Sequence, residues 1–334
     1  MSTRVAINGF GRVGRAAFRA AFESSGDIEW VAVNDIADPG ALANVLAHDS
    51  VYGAFPAEIG FRDGAITVGG HELLVLTEPD PAALKWNELG VDVVLECTGR
   101  LRTRADAAKH LDAGARKVIV SAPMKDADTT VVLGVNFPDA YDPETHSVIS
   151  NASCTTNCLA PVAQVLHETV GIRHGLMTTI HAYTGDQRLV DTPHKDPRRA
   201  RAAAVNLVPT STGAAKALGL VLPELAGKLN GFAVRVPIPT GSIVDLTVET
   251  LRETSVEEVN AAFRERAGDI LAYSEAPLVS SDIVKSPHSA IFDAPLTTVI
   301  DGTQVKVIAW YDNEWGYSSR LVELAQRVLV PALV

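Results

Sequence analysis

The chain predicts a doubly wound α/β fold followed by a second, α+β domain. Three observations carry this. The first ~150 residues alternate short apolar runs with helical stretches, the order that builds a parallel sheet with helices on both faces. Beyond that point the strands become longer and partly alternating, which favours a mostly antiparallel sheet with one face covered by helices. The length of 334 residues, at roughly 150 residues per domain, suits two domains.

The elements follow in order. Val5–Ile7, Trp30–Val33, Val91–Leu95, Lys117–Val120 and Ser147–Ile149 read as buried parallel strands. Arg15–Ser24 and Arg104–Ala113 are helical, with Gly26 and Gly114 near their ends, where helix stops belong. In the second half Met177–His181, Phe232–Val236, Ile243–Leu251 and Val305–Tyr311 are strands. Thr155–Val170, Gly213–Leu222 and Val256–Ala267 are helices between them. Tyr317–Val330 closes the chain as an amphipathic helix, with Leu321, Leu324, Ala325 and Val328 on one face.

Composition narrows the function classes. Apolar residues make up 47% and charged residues 21%, which excludes collagen-like, coiled-coil and wholly disordered chains. A net charge of −11 argues against nucleic acid or an anionic membrane as the main partner. No run approaches ~18 apolar residues, so no transmembrane helix is expected. Met1-Ser2-Thr3-Arg4 leads straight into a strand without a signal-type apolar region, so the expected location is the cytoplasm. Cys97, Cys154 and Cys158 cannot form a disulfide framework; the odd count points to a reducing compartment or a working thiol. No cluster has metal-ligand spacing.

Asn8-Gly9-Phe10-Gly11-Arg12-Val13-Gly14-Arg15 contains G-x-G-x-x-G between a strand and a helix. Gly9 permits the tight turn, Gly11 lets backbone approach a pyrophosphate, and Gly14 allows close helix–strand packing. The helix N-terminus then faces the phosphates. Asp35 ends the second strand, where a carboxylate accepts from ribose hydroxyls and repels a 2′-phosphate, favouring NAD over NADP. Asp35 also suits a helix N-cap.

Asn151-Ala152-Ser153-Cys154-Thr155-Thr156-Asn157-Cys158 follows a strand and opens a helix. Cys154 therefore sits where the helix dipole favours a thiolate and backbone N–H groups can hold an oxyanion. Buried cysteines are more often plain core residues, which is the other reading of both thiols. A thiol that adds to a carbonyl needs a base. His181 ends the strand Met177–Ile180 beside a turn-like segment, a place that displays catalytic side chains; a structural histidine is the alternative. Thr212 and Gly213 open a helix and offer a hydroxyl and N–H groups to a phosphate or simply cap it. Arg198, Arg199 and Arg201 form a basic cluster, a solvated surface or an anion holder. Arg235 lies inside a strand, where an unpaired arginine is costly, so an anionic partner is expected.

With these segments in place the chain resembles the phosphorylating glyceraldehyde-3-phosphate dehydrogenase family over nearly its whole length. The match rests on Asn8–Arg15, Ser150–Pro161, Thr179–Tyr183, Pro209–Lys216, Arg235–Pro237 and Trp310–Tyr317 in the right order. The resemblance implies a Rossmann-type cofactor domain of residues 1–150 plus 316–334 and a catalytic domain of residues 151–315. It implies Cys154 as nucleophile and His181 as its activator and acid/base. Ser153, Thr155, Thr212 and Gly213 match phosphate ligands, with Thr184, Arg199 and Arg235 completing two anion sites. Gly9, Gly11, Arg12, Val13, Gly14 and Asp35 match pyrophosphate and ribose contacts. Ser121 matches a contact near the nicotinamide ribose, Asn313 the partner of the carboxamide, and Tyr317 a neighbour of the ring.

The implied reaction is NAD-dependent oxidation of glyceraldehyde 3-phosphate, through a hemithioacetal and a thioester on Cys154. Inorganic phosphate then releases 1,3-bisphosphoglycerate, a step of glycolysis or gluconeogenesis. The implied assembly is a homotetramer, with 186–204 as the loop between subunits. Pro79, Gly185 and Thr192 depart from the family pattern without removing a catalytic group. Erythrose-4-phosphate dehydrogenases share the same apparatus and are the nearest rival. A non-catalytic regulatory or RNA-binding relative is disfavoured by the retained Cys154 and His181 and, for RNA, by the acidic charge. A thiol hydrolase gives no reason for the glycine turn or Asp35.

Overall fold

The computed structural model describes residues 2–24 and 28–329. Gly26, expected as a helix stop, and Val330, expected as the last helical residue, lie outside them. The chain divides into two compact units: Met1–Val131, Phe137–Ala152 and Ser318–Val334 in one, Val132–Asn136 and Ser153–Tyr317 in the other. This differs from the 1–150 plus 316–334 expectation by two residues at each edge and by the short 132–136 segment.

The first unit holds a nine-stranded sheet. Its strands are β1 (Thr3–Asn8), β2 (Ile28–Asn34), β5 (Ile59–Arg62), β6 (Ala65–Val68), β7 (His71–Leu76), β8 (Val93–Glu96), β9 (Lys117–Val120), β10 (Thr129–Thr130) and β11 (Val148–Ser150). Between β2 and β5 lie helix α2 (Pro39–Ala47) and a separate small hairpin, β3 (His48–Asp49) with β4 (Gly53–Ala54). The order β10-β11-β9-β8-β1-β2-β7-β6-β5 places β1 at the centre. Val5, Ala6, Ile7, Val93, Val94 and Leu95 are all 0% exposed. Both faces of these strands are covered, which is why they read as continuous apolar runs.

The sheet is not wholly parallel: β5, β6 and β7 form an antiparallel edge. Its turns are Asp63-Gly64 and Gly69-Gly70, all with positive φ; glycine tolerates that region freely.

Helix α1 (Arg12–Glu23) begins three residues before the expected Arg15, so Gly14 lies inside its first turn. Helix α3 (Arg104–Asp112) is capped by the Thr103 hydroxyl, which accepts from Asp106 N–H, and Gly114 follows it.

The second unit holds β12 (Ile172–Ala182), β13 (Val208–Ser211), β14 (Leu229–Val236), β15 (Ser242–Thr250), β16 (Leu271–Ser274), β17 (Ala290–Asp293), β18 (Thr298–Ile300) and β19 (Gln304–Tyr311). Their order is β13-β14-β12-β15-β19-β17-β16, with β18 beside β19. Most pairs are antiparallel, but β12 with β14 and β16 with β17 run parallel. Helices α4 (Cys154–Val170), α5 (Ala214–Val221) and α6 (Val256–Glu265) complete the unit. Helix α7 (Trp315–Arg327) spans the division. Leu321, Leu324, Ala325 and Val328 on its apolar stripe are all 0% exposed.

Candidate active site

In the first unit the glycine turn connects β1 to α1. Gly9 has φ +93°, and a Cβ there would lie 2.6 Å from Thr98 N. A Cβ on Gly14 would lie 2.4 Å from Gly9 O, so both positions demand glycine. A Cβ on Gly11 would meet nothing within 4 Å: that side of the turn is open. Gly11 is the N-cap of α1 and makes no side-chain cap bond, and a helix N-terminus opening on this side suits a phosphate.

Beside the turn lies a cavity of about 250 Å³ bordered by Gly9, Gly11, Asp35, Pro79 and Thr98. Asp35 accepts from Phe10 N–H at 2.8 Å and Ala37 N–H at 3.0 Å. It is not a helix cap; Asp38 caps α2. The carboxylate ties β2 to the glycine turn and faces the cavity, where a 2′-phosphate would meet its charge. These residues fit a dinucleotide.

Arg12 is ion-paired to Asp49, whose side chain is only 3% exposed, so its guanidinium is held in place. Val13 lies in the first turn of α1. Ser121 follows β9 and hydrogen-bonds the Cys97 thiol, which burial and the neighbouring Glu96 push up to about 12. Beneath the cavity runs a buried polar chain. Glu96 accepts from Asn8 Nδ2 at 2.6 Å and Thr98 N–H at 2.8 Å. His110 joins Glu96 at 3.1 Å and accepts from Trp86 Nε1 at 3.0 Å. Sequence reasoning missed Asp49 and this chain, because partners up to 102 residues apart leave no local pattern.

In the second unit Cys154 is the first residue of α4. Ser153 is its N-cap, accepting from Thr156 N–H at 3.1 Å. The Cys154 Sγ lies 3.4 Å from His181 Nε2. The parallel register of β12 and β14 sets His181 opposite Arg235. His181 Nδ1 is 2.7 Å from Ala182 O, and Arg235 Nη1 donates to the same carbonyl at 3.1 Å while touching the ring. A bond from Nδ1–H to that oxygen turns the imidazole lone pair on Nε2 toward sulfur.

Burial first, and the Arg235 charge second, drive His181 down to about 3, so the ring is neutral. Burial pushes the Cys154 thiol up, and Arg235 and Thr155 recover only part of this. Desolvation opposes the pull of the helix terminus on the thiol, and His181 Nε2, 3.4 Å away, is the group placed to receive its proton. Cys158 is fully buried and its thiol is pushed well above its usual range.

The predicted anion residues are unequally available. Arg235 has no carboxylate within ion-pair distance among the described residues, and its Nε is buried without a partner. The expected anionic partner is thus not found among the described residues, which leaves the charge for a ligand. Arg199, by contrast, is paired with Asp186 and with Asp196, and the Thr184 hydroxyl donates to Asp186. Burial pushes Asp186 up, but Thr184, Arg199 and Arg235 together hold its carboxyl below the usual range. The Thr212 hydroxyl accepts from Ala214 N–H at 3.2 Å, with Gly213 as the cap of α5. Thr155 is turned inward: its hydroxyl bonds the Tyr311 hydroxyl at 2.9 Å. Tyr311 also bonds Thr179 at 2.8 Å and sets its edge on His181, a neighbour that sequence reasoning did not single out. Asn313 and Tyr317 are 5% exposed, at the start of the segment that becomes α7.

A dinucleotide-type glycine turn in one unit and a Cys–His pair beside an unanswered arginine in the other define a dinucleotide-dependent dehydrogenase. The comparisons specify which. Residues 3–104 match the glyceraldehyde 3-phosphate dehydrogenase NAD binding domain, and residues 153–313 match the C-terminal domain of the same family. Glyceraldehyde-3-phosphate dehydrogenase 1 of Streptomyces avermitilis is 59% identical over 329 residues, covering 97% of this chain and 98% of the relative. Glyceraldehyde-3-phosphate dehydrogenase 2 of Streptomyces arenae is 60% identical with the same coverage. The Geobacillus stearothermophilus enzyme is 59% identical, again covering 97% and 98%. The chain belongs to the glyceraldehyde-3-phosphate dehydrogenase family, and its cofactor is NAD.

Proposed function

We propose that the chain oxidises glyceraldehyde 3-phosphate with NAD and inorganic phosphate to 1,3-bisphosphoglycerate. The observation that carries this is the 3.4 Å contact of Cys154 Sγ with His181 Nε2, beside an arginine with no carboxylate in ion-pair distance among the described residues. His181 Nε2 takes the thiol proton as sulfur adds to the aldehyde carbon. The proton then passes to the new oxyanion, giving a hemithioacetal. NAD, when bound, supplies the acceptor for the hydride that leaves this carbon. His181 takes the hydroxyl proton in the same step, so a thioester remains on Cys154. Phosphate, held by Arg235 with Thr212 and Gly213, attacks the thioester carbon and displaces the Cys154 thiolate. Ser153, Thr155, Thr184 and Arg199 complete the anion sites in this reading. Gly9, Gly11, Arg12, Val13, Gly14, Asp35 and Ser121 hold the cofactor from the first unit. Asn313 and Tyr317 address its nicotinamide end.

A homotetramer is part of the same proposal. Leu189, Val190, Val205 and Leu207 are 79%, 66%, 77% and 68% exposed, an apolar content that supports burial against other copies. Among the described residues no helix is long and apolar enough to cross a membrane. Three free thiols support a reducing, cytoplasmic location.

The test is NADH formation from glyceraldehyde 3-phosphate, NAD and phosphate. Cys154→Ser lowers kcat by at least about a thousandfold, because a hydroxyl is a far weaker nucleophile than a thiol. Retained NADH production in that variant would falsify the covalent mechanism. Erythrose 4-phosphate with a higher kcat/KM would move the substrate assignment to the rival.

A further inference from the structure

Strand β15 lies between β12 and β19, and its first residue, Ser242, is 1% exposed. The β12–β15 ladder ends at Ile180 opposite Ile243, and Ser242 itself stands opposite Tyr311 of β19. Gly241, with φ +87° and a Cβ position 2.6 Å from Ser280 O, turns the chain where the backbone ladder ends. The Ser242 side chain continues it. Its hydroxyl accepts from Ala182 N–H at 3.1 Å and donates to Asn313 Oδ1 at 2.8 Å.

Ala182 is the residue whose carbonyl accepts from His181, and Asn313 lies two residues beyond Tyr311. One buried hydroxyl therefore joins the strand end that carries His181 to the segment that carries Asn313. An amide whose oxygen is taken by a hydroxyl presents Nδ2 to whatever lies beyond it.

We propose that Ser242 is a positioning residue: its hydroxyl fixes the Asn313 amide with Nδ2 as the donor to the nicotinamide carboxamide, and ties that orientation to the His181 strand end. This rests on the reading of Asn313 as the carboxamide partner. A buried hydroxyl that donates and accepts at once is costly to remove, because both partners lose a bond that water does not replace.

The experiment titrates the full-length cofactor-free protein with NAD and with ADP-ribose, which lacks the nicotinamide. Ser242→Ala raises the Kd for NAD about fivefold, the loss of roughly one oriented hydrogen bond, and leaves ADP-ribose binding unchanged. Alkylation of Cys154 by iodoacetamide slows severalfold in the same variant, as the His181 end loosens. Ser242→Thr, which keeps the hydroxyl, restores both. Asn313→Ala weakens NAD to a similar degree, and the double variant is no weaker than Asn313→Ala alone.

Additive effects of the two substitutions, or equal weakening of NAD and ADP-ribose by Ser242→Ala, overturn the proposal. No effect of Asn313→Ala on NAD binding overturns the carboxamide reading instead. If Ser242→Ala does not fold, Ser242→Cys, a weak donor of similar size, enters the same cycle and gives an intermediate NAD Kd with unchanged ADP-ribose binding; an additive result there also overturns the proposal.

Discussion

Arg235 is half-buried in β14, donates to Ala182 O, and meets no carboxylate in its own unit within ion-pair distance among the described residues. Such a charge is costly unless a ligand completes it, and a forked guanidinium matches phosphate oxygens. Arg235→Gln therefore lowers kcat/KM for glyceraldehyde 3-phosphate by about a hundredfold, in line with loss of a charge-assisted pair, while ADP-ribose affinity stays unchanged. Steady-state kinetics beside a binding titration checks this; parallel losses in both would assign Arg235 a structural role instead. At this scale the sequence was informative where chemistry is local. Cys154 follows a strand and opens a helix, and His181 ends a strand. Tyr311 and Ser242 were not legible, because their partners are set by register across β12, β15 and β19. The pairing of Arg199 with Asp186 was hidden for the same reason: a loop that folds back on itself has no periodicity.

Among the elements, β11 and α3 are joined through one carboxylate. Asp128 accepts from Ser147 N–H at 2.9 Å and Val148 N–H at 2.8 Å, and pairs with Arg104 at the start of α3. Burial raises its pKa, but the Arg104 and backbone bonds outweigh this, so it sits below its ordinary 3.8 in the folded chain. A carboxyl depressed by folding stabilises above its unfolded pKa, and that stability is lost as pH falls through the folded value. Asp128→Asn costs about 1–3 kcal/mol at pH 7. The gap between variant and parent narrows as pH falls from 3.8 through the lower folded value, below which both carry a neutral side chain. Urea midpoints at neutral pH and across that range measure it; a gap independent of pH would contradict the charge argument. The parallel strands of this unit were readable because burial on both faces makes them uniformly apolar. The β5–β6–β7 edge was passed over, although Asp63-Gly64 and Gly69-Gly70 are hairpin turn pairs. Strand β5 is short and half-exposed, and β7 opens on the exposed His71 and Glu72, so only its Leu73–Leu76 end is apolar.

For the whole molecule, the net charge of −11 says little about ligands that are themselves anions, since Arg235 and helix termini act locally. The exposed apolar side chains are more informative. Leu176 and Phe232, 69% and 48% exposed on the second sheet, add to those of the 186–207 segment. Light scattering is expected to give the mass of four chains. Leu189→Asp with Val205→Asp shifts it toward smaller species, since a charge in a buried apolar contact is costly. An unchanged mass would remove this segment from the interface. The domain layout was legible in outline through the switch from short apolar strands to long alternating ones, whereas the 132–136 segment has no compositional mark.

If Arg199 serves the anion site proposed above, its pairing with Asp186 bears on how phosphate is told from the salt around it. An arginine already satisfied from within gives up two carboxylate contacts before it can greet a newcomer. Chloride, a single sphere of charge, returns too little to make that exchange worthwhile. A phosphate, with two negative charges and three oxygens to share among a guanidinium and a hydroxyl, returns more than it displaces. In the proposed anion site the internal carboxylate would thus act as a threshold, set against a monovalent ion and passed by a phosphate.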